Sequence, residues 1–87
     1  MKIPNELQKK IINAQIKYHI TGGHFDDEYS HEMQRGDTTI KFIARRAWSE
    51  RGLSYKIMRE TISIAKGWRE EFIGVTHPWA REKFVLN

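Results

Sequence analysis

Cysteine is absent from this chain of 87 residues, and its absence excludes several classes of protein. Without thiols there is no disulfide framework, no thiolate zinc site and no cysteine nucleophile. Long apolar runs are absent too, and the first ten residues turn polar before any apolar segment forms. We therefore expect no signal peptide and no membrane-spanning segment. The composition predicts a soluble, cytoplasmic protein that folds as one domain over residues 1–87.

Catalytic signatures are also scarce. The chain has no G-x-S-x-G nucleophile elbow, no P-loop and no dinucleotide-binding glycine fingerprint. Residues 24–32, HFDDEYSHE, gather oxygen and imidazole ligands that could bind a divalent metal, but the two histidines are spaced by seven residues instead of four. We interpret this stretch as a solvated acidic loop, or alternatively as a segment that pairs with the basic residues of a second copy. We expect no enzyme activity, no cofactor and no metal.

What the chain does have is basic charge concentrated in its middle. Residues 1–36 hold five basic and five acidic residues, and residues 67–87 hold three of each. Residues 38–66 hold seven basic residues against two glutamates, and this excess, less Asp37, makes up the whole net charge of +4. Such a segment indicates an anionic partner, nucleic acid above all. The alternative is that a segment this short is basic by chance.

The spacing of apolar residues predicts a first helix that begins at Pro4-Asn5 and ends at Gly22-Gly23. Asn5 is a good N-cap because its side chain can accept a hydrogen bond from the first turn. The glycine pair ends the helix because glycine adopts left-handed dihedral angles without strain. The apolar face of this helix comprises Leu7, Ile11, Ala14 and Tyr18.

The same spacing predicts further helices over residues 38–51 and 55–73, and a short closing helix from Pro78. The apolar stripe of the longer helix runs through Gly67 without a break. Residues 26–36 fit either a short helix that Gly36 would end or an ordered loop, and we favour the short helix. Because no strand pattern stands out, the sequence predicts an all-α fold, a compact bundle of four to five helices.

Residues 51–60, RGLSYKIMRE, contain the helix-ending and helix-capping residues expected of two helices joined by a tight turn. Gly52 can end one helix, Leu53 can fill the gap and Ser54 can cap the next. Over about residues 40–63 the chain therefore resembles the helix-turn-helix family of DNA-binding domains. It departs from the family in having tryptophan, not a small residue, four positions before the turn glycine. The alternative is an ordinary helical hairpin.

The resemblance implies a DNA-binding regulator or accessory factor, as a monomer or a homodimer. Its second helix would read the major groove, where arginine suits guanine, and its first helix would hold phosphates. This hypothesis requires that the cations share one exposed ridge and are not neutralised by carboxylates of residues 26–32 in the same molecule. The predicted nucleic-acid-binding residues are Lys41, Arg45, Arg46, Arg51, Tyr55, Lys56, Arg59, Ser63 and Lys66.

A protein-binding inhibitor or adaptor is the alternative, of the kind that mobile elements use against host machinery. A small domain with three tryptophans and a basic face suits an acidic protein surface, including that of a host protein which handles nucleic acid. Its candidate anchors are Trp79, Phe84 and Phe42. Phe42 falls among basic residues on the helical wheel, where it could also stack on a base. For that residue we favour packing in the core or against another subunit.

Overall fold

A computed structural model describes residues 3–49 and 52–77 as one helix packed on a four-stranded antiparallel sheet. The strands form a meander in the order β1-β2-β3-β4. The helix lies on one face of the sheet, in contact with β1 and β3. The elements are α1 Asn5–Thr21, β1 Glu28–Arg35, β2 Thr38–Ser49, β3 Gly52–Ser63 and β4 Gly67–Val75.

The predicted all-α bundle is wrong, and the helix-turn-helix pair is wrong with it. Residues 38–49 form β2 instead of a helix, and residues 55–73 are shared between β3 and β4. Leu53, expected in a turn between helices, is buried inside β3. The short helix favoured for residues 26–36 is also wrong, because these residues lead into and form β1. The closing helix predicted from Pro78 lies outside the described residues.

A period of two in the same residues explains the strands. Ile40, Phe42 and Ala44 alternate along β2, and all three pack toward α1. β-Branched and aromatic side chains suit a pleated, half-buried surface of this kind. Because apolar residues occur on both faces of these strands, they also satisfy helical spacing, which is why the helical prediction failed. The corresponding core residues of β3 are Leu53, Tyr55 and Ile57.

Two glycines that the helical prediction misplaced form hairpin turns. Arg35 pairs with Thr38, so Gly36 and Asp37 make a two-residue turn in which Gly36 has φ +60°. Gly67, predicted inside a helix, ends the turn between β3 and β4 with φ +76°. Glycine adopts these left-handed angles without the steric cost of a side chain.

The first predicted helix is confirmed. α1 ends at Gly22, whose φ of +65° makes the left-handed cap expected of glycine. Its N-cap is Pro4 instead of Asn5, and the carbonyl of Pro4 accepts a hydrogen bond from the amide of Gln8 at 3.0 Å. The predicted apolar face packs onto the sheet. Its residues in the core are Leu7, Ile11, Ala14 and Tyr18.

One buried amide fixes α1 to the sheet. Gln15 is only 2% exposed, and its Nε2 donates to the carbonyl oxygens of Leu53 at 2.9 Å and of His77 at 3.2 Å. The same nitrogen lies 3.2 Å from the hydroxyl of Thr76, which accepts a further hydrogen bond from the amide of Tyr55. These contacts join the helix to β3 and to the chain just after β4. They set the position of α1 along one face of the sheet.

Candidate functional site

No described element covers the sheet face opposite α1, which we call the open face. Strand pairing places Ile43, Met58 and Phe72 side by side across β2, β3 and β4, and we call this set the central apolar row. Its exposed members are Met58 and Phe72, since Ile43 is only 9% exposed. Ile62 and Trp68 form a second apolar pair nearer the turn between β3 and β4. Trp68, Phe72 and Ile62 expose 60%, 58% and 46% of their surfaces. A cluster of large apolar side chains in solvent marks an interaction surface.

Charged residues flank the central apolar row on both sides. On one side Glu28 pairs with Arg45 at 3.3 Å, whereas Lys56 lies 5.7 Å from the centre of the Phe72 ring. We call this side the basic row, because two cations against one glutamate give +1. The other side is the acidic row, where one lysine against three glutamates gives −2. The basic row consists of Glu28, Arg45 and Lys56, with Val75 on β4; the acidic row consists of Glu32, Lys41, Glu60 and Glu70.

The nine residues predicted to bind nucleic acid do not share one face. Arg46 lies on the side of the sheet that carries α1, Tyr55 is in the core, and Arg51 lies outside the described residues. On the open face are Lys41, Arg45 and Lys56. Around a groove on the opposite face are Arg59, Ser63 and Lys66.

Carboxylates of the same molecule also neutralise several of these cations. Arg46 Nη1 lies 3.1 Å from Asp27 Oδ1, and Arg45 in the basic row forms an ion pair with Glu28. Nη2 of Arg59 donates to both carboxylate oxygens of Glu71 at 2.9 Å. The acidic stretch at residues 26–32 therefore pairs with the basic segment of its own chain. The convergence that the nucleic-acid hypothesis required is not found among the described residues.

Tyr55, predicted to face outward, is a structural residue. It is fully buried, and its hydroxyl donates a hydrogen bond to the carbonyl oxygen of Asp26 at 2.7 Å. Burial raises the pKa of Tyr55 above its ordinary value, and the electrostatic influence of Tyr29 adds a smaller increase. The phenol therefore stays neutral and ties β3 to the segment before β1.

A groove of about 610 Å³ lies on the α1 side of the sheet, toward the two hairpin turns. Arg59 and Arg69 both donate to Glu71 in this groove. These hydrogen bonds hold the pKa of Glu71 below its ordinary value, and the hydrogen bond from Arg59 contributes most. Lys66 and Asp37 also line the groove, so that three cations against two carboxylates give +1. Hydroxyl groups complete the lining, from Thr38, Thr61 and Ser63.

The acidic stretch does not form a metal site in the structure. In the part of the chain that is described, no three histidine, aspartate or glutamate side chains are placed to hold a metal ion. His24 Nε2 lies 3.4 Å from Asp26 Oδ1, and both side chains are largely exposed. The stretch also is not a loop throughout, because β1 begins at Glu28.

The sequence interpretation missed the open face because it assigned the exposed apolar residues to the buried stripe of a helix. Gly67 was the available signal, since a glycine between two apolar runs also suits a hairpin. Phe42, a candidate partner anchor, is 2% exposed and packs in the core, as we favoured. The other two candidate anchors, Trp79 and Phe84, lie outside the described residues.

Over residues 3–49 and 52–77, no helix has the length and apolar character needed to cross a bilayer. Neither a protein-family model nor a curated protein or solved structure matches the chain significantly.

Proposed function

We propose that this chain is a small protein-binding module, an adaptor or inhibitor that docks through the open face of its sheet. The observation that carries the proposal is the central apolar row with its exposed neighbours, uncovered by any described element. Among residues 3–49 and 52–77, α1 packs on one side of the sheet only, so no described element competes for the second face. Protein interfaces have this composition, with aromatic residues and methionine at the centre and charge at the rim.

The charge of the open face favours a protein over a polyanion. Three cations lie on it among four carboxylates, so the face sums to −1. A surface that binds nucleic acid needs an excess of cations, because phosphate contacts supply most of the affinity. An interface with another protein instead uses interspersed charges of both signs to fix orientation.

Trp68 and Phe72 are the expected anchors. Covering their exposed fractions, 60% and 58%, would remove roughly 250 Å² of apolar surface from water and contribute about 6 kcal/mol before the cost of association. Lys56 already rests against the Phe72 ring, which holds one anchor in place before binding. Truncation of these two side chains should therefore reduce binding more than any change at the charged rim.

Nucleic-acid binding remains a second candidate because of the groove. Arg59, Arg69 and Lys66 meet there, and such side chains are the usual ligands of phosphate. Nε of Arg59 is buried without a hydrogen-bond partner among the described residues. The excess in the groove is only +1, which supports fewer phosphate contacts than stable binding of a polyanion needs. We therefore place this candidate second.

Site-specific photo-crosslinking in cell lysate tests the proposal. A photoreactive amino acid replaces Ile62 on the open face in one variant and Ile20 in the control, since Ile20 is a 70% exposed isoleucine on α1. We expect a discrete protein adduct from position 62 and none from position 20. We also expect nuclease treatment to leave that adduct unchanged.

Two paired substitutions complete the design. Trp68→Ala with Phe72→Ala should abolish the adduct, whereas Lys66→Ala with Arg69→Ala, on the groove, should preserve it. Circular dichroism checks that each variant keeps its fold. Equal adducts from both labelled positions would refute docking through the open face. A nuclease-sensitive adduct, or a nucleic-acid gel shift that disappears only in the groove variant, would favour the second candidate instead.

A further inference from the structure

We propose that the partner protein docks an arginine side chain on the open face between Trp68 and Phe72, a step that rests on the proposed function. The evidence is a pair of carboxylates at this place. Glu60 of β3 and Glu70 of β4 are direct cross-strand neighbours on the open face. Like charges directly opposite each other destabilise a sheet. A cation supplied by the partner removes that repulsion, so charge complementarity favours a basic side chain as the occupant.

The described part of the chain leaves this pair of carboxylates unneutralised. No ion pair joins Glu60 or Glu70 to a cation within residues 3–49 and 52–77. Lys41 lies between Glu32 and Glu60 in the strand register, so it balances at most one of these two. Glu70 lies on the edge strand β4, where its cross-strand neighbour is Glu60. The acidic row therefore presents its charge of −2 to a partner.

Aromatic rings flank the carboxylates along β4. Trp68 and Phe72 lie on the same face as Glu70, each two residues and about 6.6 Å away along the strand. The face of such a ring attracts a cation within about 6 Å of its centre. Phe72 already does so, since Lys56 Nζ lies 5.7 Å from the centre of its ring. A cation at Glu70 would therefore meet two carboxylates, with one aromatic ring on each side.

A guanidinium group suits this arrangement better than an ammonium group. It is planar, so that it stacks on aromatic rings, and it donates several hydrogen bonds in its own plane. The Cβ atoms of a directly opposed pair are about 4.5–5.5 Å apart, which allows one guanidinium to donate to both Glu60 and Glu70. Met58 and Ile62, on either side of Glu60 along β3, supply apolar surface for the aliphatic part of the arginine side chain.

Lys56 limits the orientation of the partner. It lies four residues before Glu60 on the same face of β3, which is about 13 Å along the strand. An arginine placed over Lys56 would meet a like charge, whereas an acidic side chain there would be attracted. The partner surface that fits the open face therefore has arginine on one side of an apolar centre and an acidic residue on the other. This order of charges excludes the reversed orientation.

Three capped tripeptides test the proposal by NMR titration of the whole chain. The probe has arginine between two leucines, and the two controls have citrulline or lysine in the middle. The indole N–H of Trp68 reports binding, and that of Trp48, on the α1 side of the sheet, is the internal control. We expect the arginine tripeptide to shift Trp68 alone, with a dissociation constant in the millimolar range. Citrulline, which is neutral and nearly the same shape, should bind at least about tenfold more weakly, and lysine at least about threefold more weakly.

Substitution of the carboxylates tests the same contact from the side of this chain. Glu70→Gln should weaken binding of the arginine tripeptide at least about threefold, and Glu60→Gln together with Glu70→Gln at least about tenfold. Glu32→Gln is the matched control, because Glu32 is in the same row but has Lys41 beside it and lies on the other edge strand. That control should bind the tripeptide within about twofold of the wild type. Circular dichroism checks that each variant keeps its fold.

The outcomes separate this inference from the function on which it rests. The expected losses, with the Glu32→Gln control unchanged, support the arginine contact. Binding of citrulline or lysine as tight as that of arginine overturns it, and so does the absence of any shift at Trp68. A photo-crosslinked adduct at position 62 that keeps its full yield in the Glu60→Gln, Glu70→Gln variant also overturns it, but leaves the proposed function in place. If the wild type labelled at position 62 gives no adduct, both proposals fail.

Discussion

The buried amide of Gln15 allows the packing of α1 to be tested in free-energy terms. Replacement of Gln15 by leucine keeps the approximate volume of the side chain but removes the donor to the carbonyl oxygens of Leu53 and His77. Leu53 is fully buried, so its carbonyl loses its partner at a cost of about 1–3 kcal/mol, whereas the half-buried His77 can partly recover a hydrogen bond from water. Leucine returns part of that cost through its apolar surface, about 1 kcal/mol.

The expected net loss in the free energy of unfolding is about 1–2 kcal/mol, or roughly 5–15 °C in Tm for a domain of this size. Urea denaturation followed by circular dichroism measures it, with an unchanged m-value as the sign that the native fold is retained. Asn13→Leu is the matched control, because Asn13 is exposed on the same helix. Equal stability of the Gln15→Leu variant and the wild type would refute the role assigned to this amide.

Three other substitutions test separate parts of the structure by the same denaturation assay. Gly52→Ala should cost at least about 1–3 kcal/mol, because φ is +128° there and a methyl group would overlap the imidazole of His19; a neutral result would contradict the assigned backbone. Phe42→Ala should cost about 3–5 kcal/mol by leaving a cavity under α1, and a cost below about 1 kcal/mol would place that ring outside the core. Glu71→Gln should reduce the loss of unfolding free energy at acidic pH. The pKa of the Glu71 carboxyl is lowered in the folded state, so its contribution to stability is present above the unfolded pKa near 4.5 and is lost as pH falls through the folded pKa. An acid limb identical to that of the wild type would contradict the paired state of this carboxylate.

Local signals in the sequence were sufficient to predict α1. Its face from Leu7 to Tyr18 has helical spacing without a competing period of two, and Gly22 ends it with the dihedral angle expected. A helix makes its hydrogen bonds within one segment, so a local pattern determines its limits. The N-cap was misplaced by one residue, which is the usual uncertainty at helix ends.

The sheet was not predictable in the same way because its hydrogen bonds join distant segments. In β2, Ile40 and Ala44 satisfy both a helical period of four and a strand period of two. Phe42 carried the distinguishing information, since it falls on the polar side of a helix but between these two residues on a strand face. Pairing of β2 with both of its neighbours favours the strand over the helix. A single sequence does not contain that long-range information locally.

The candidate site depended on the same error. Trp68 and Phe72 are four residues apart, so a helical interpretation buries both on one stripe. On β4 they lie on the open face instead, one on each side of Glu70. The excess of basic residues in residues 38–66 is a fact of the sequence, but its grouping on one surface was a helical inference. On strands, neighbours such as Arg45 and Arg46 point to opposite faces.

The most direct test of the central claim is methyl NMR of the isotopically labelled chain as unlabelled cell lysate is added. The open face contributes the methyl groups of Met58 and Ile62, and the core contributes those of Leu7 and Ile11. We predict that the resonances of Met58 and Ile62 shift or broaden together as the partner binds, while those of the two core residues stay fixed. Shifts that are confined to residues around the groove, or that are equal in core and open face, would contradict docking through this face of the sheet.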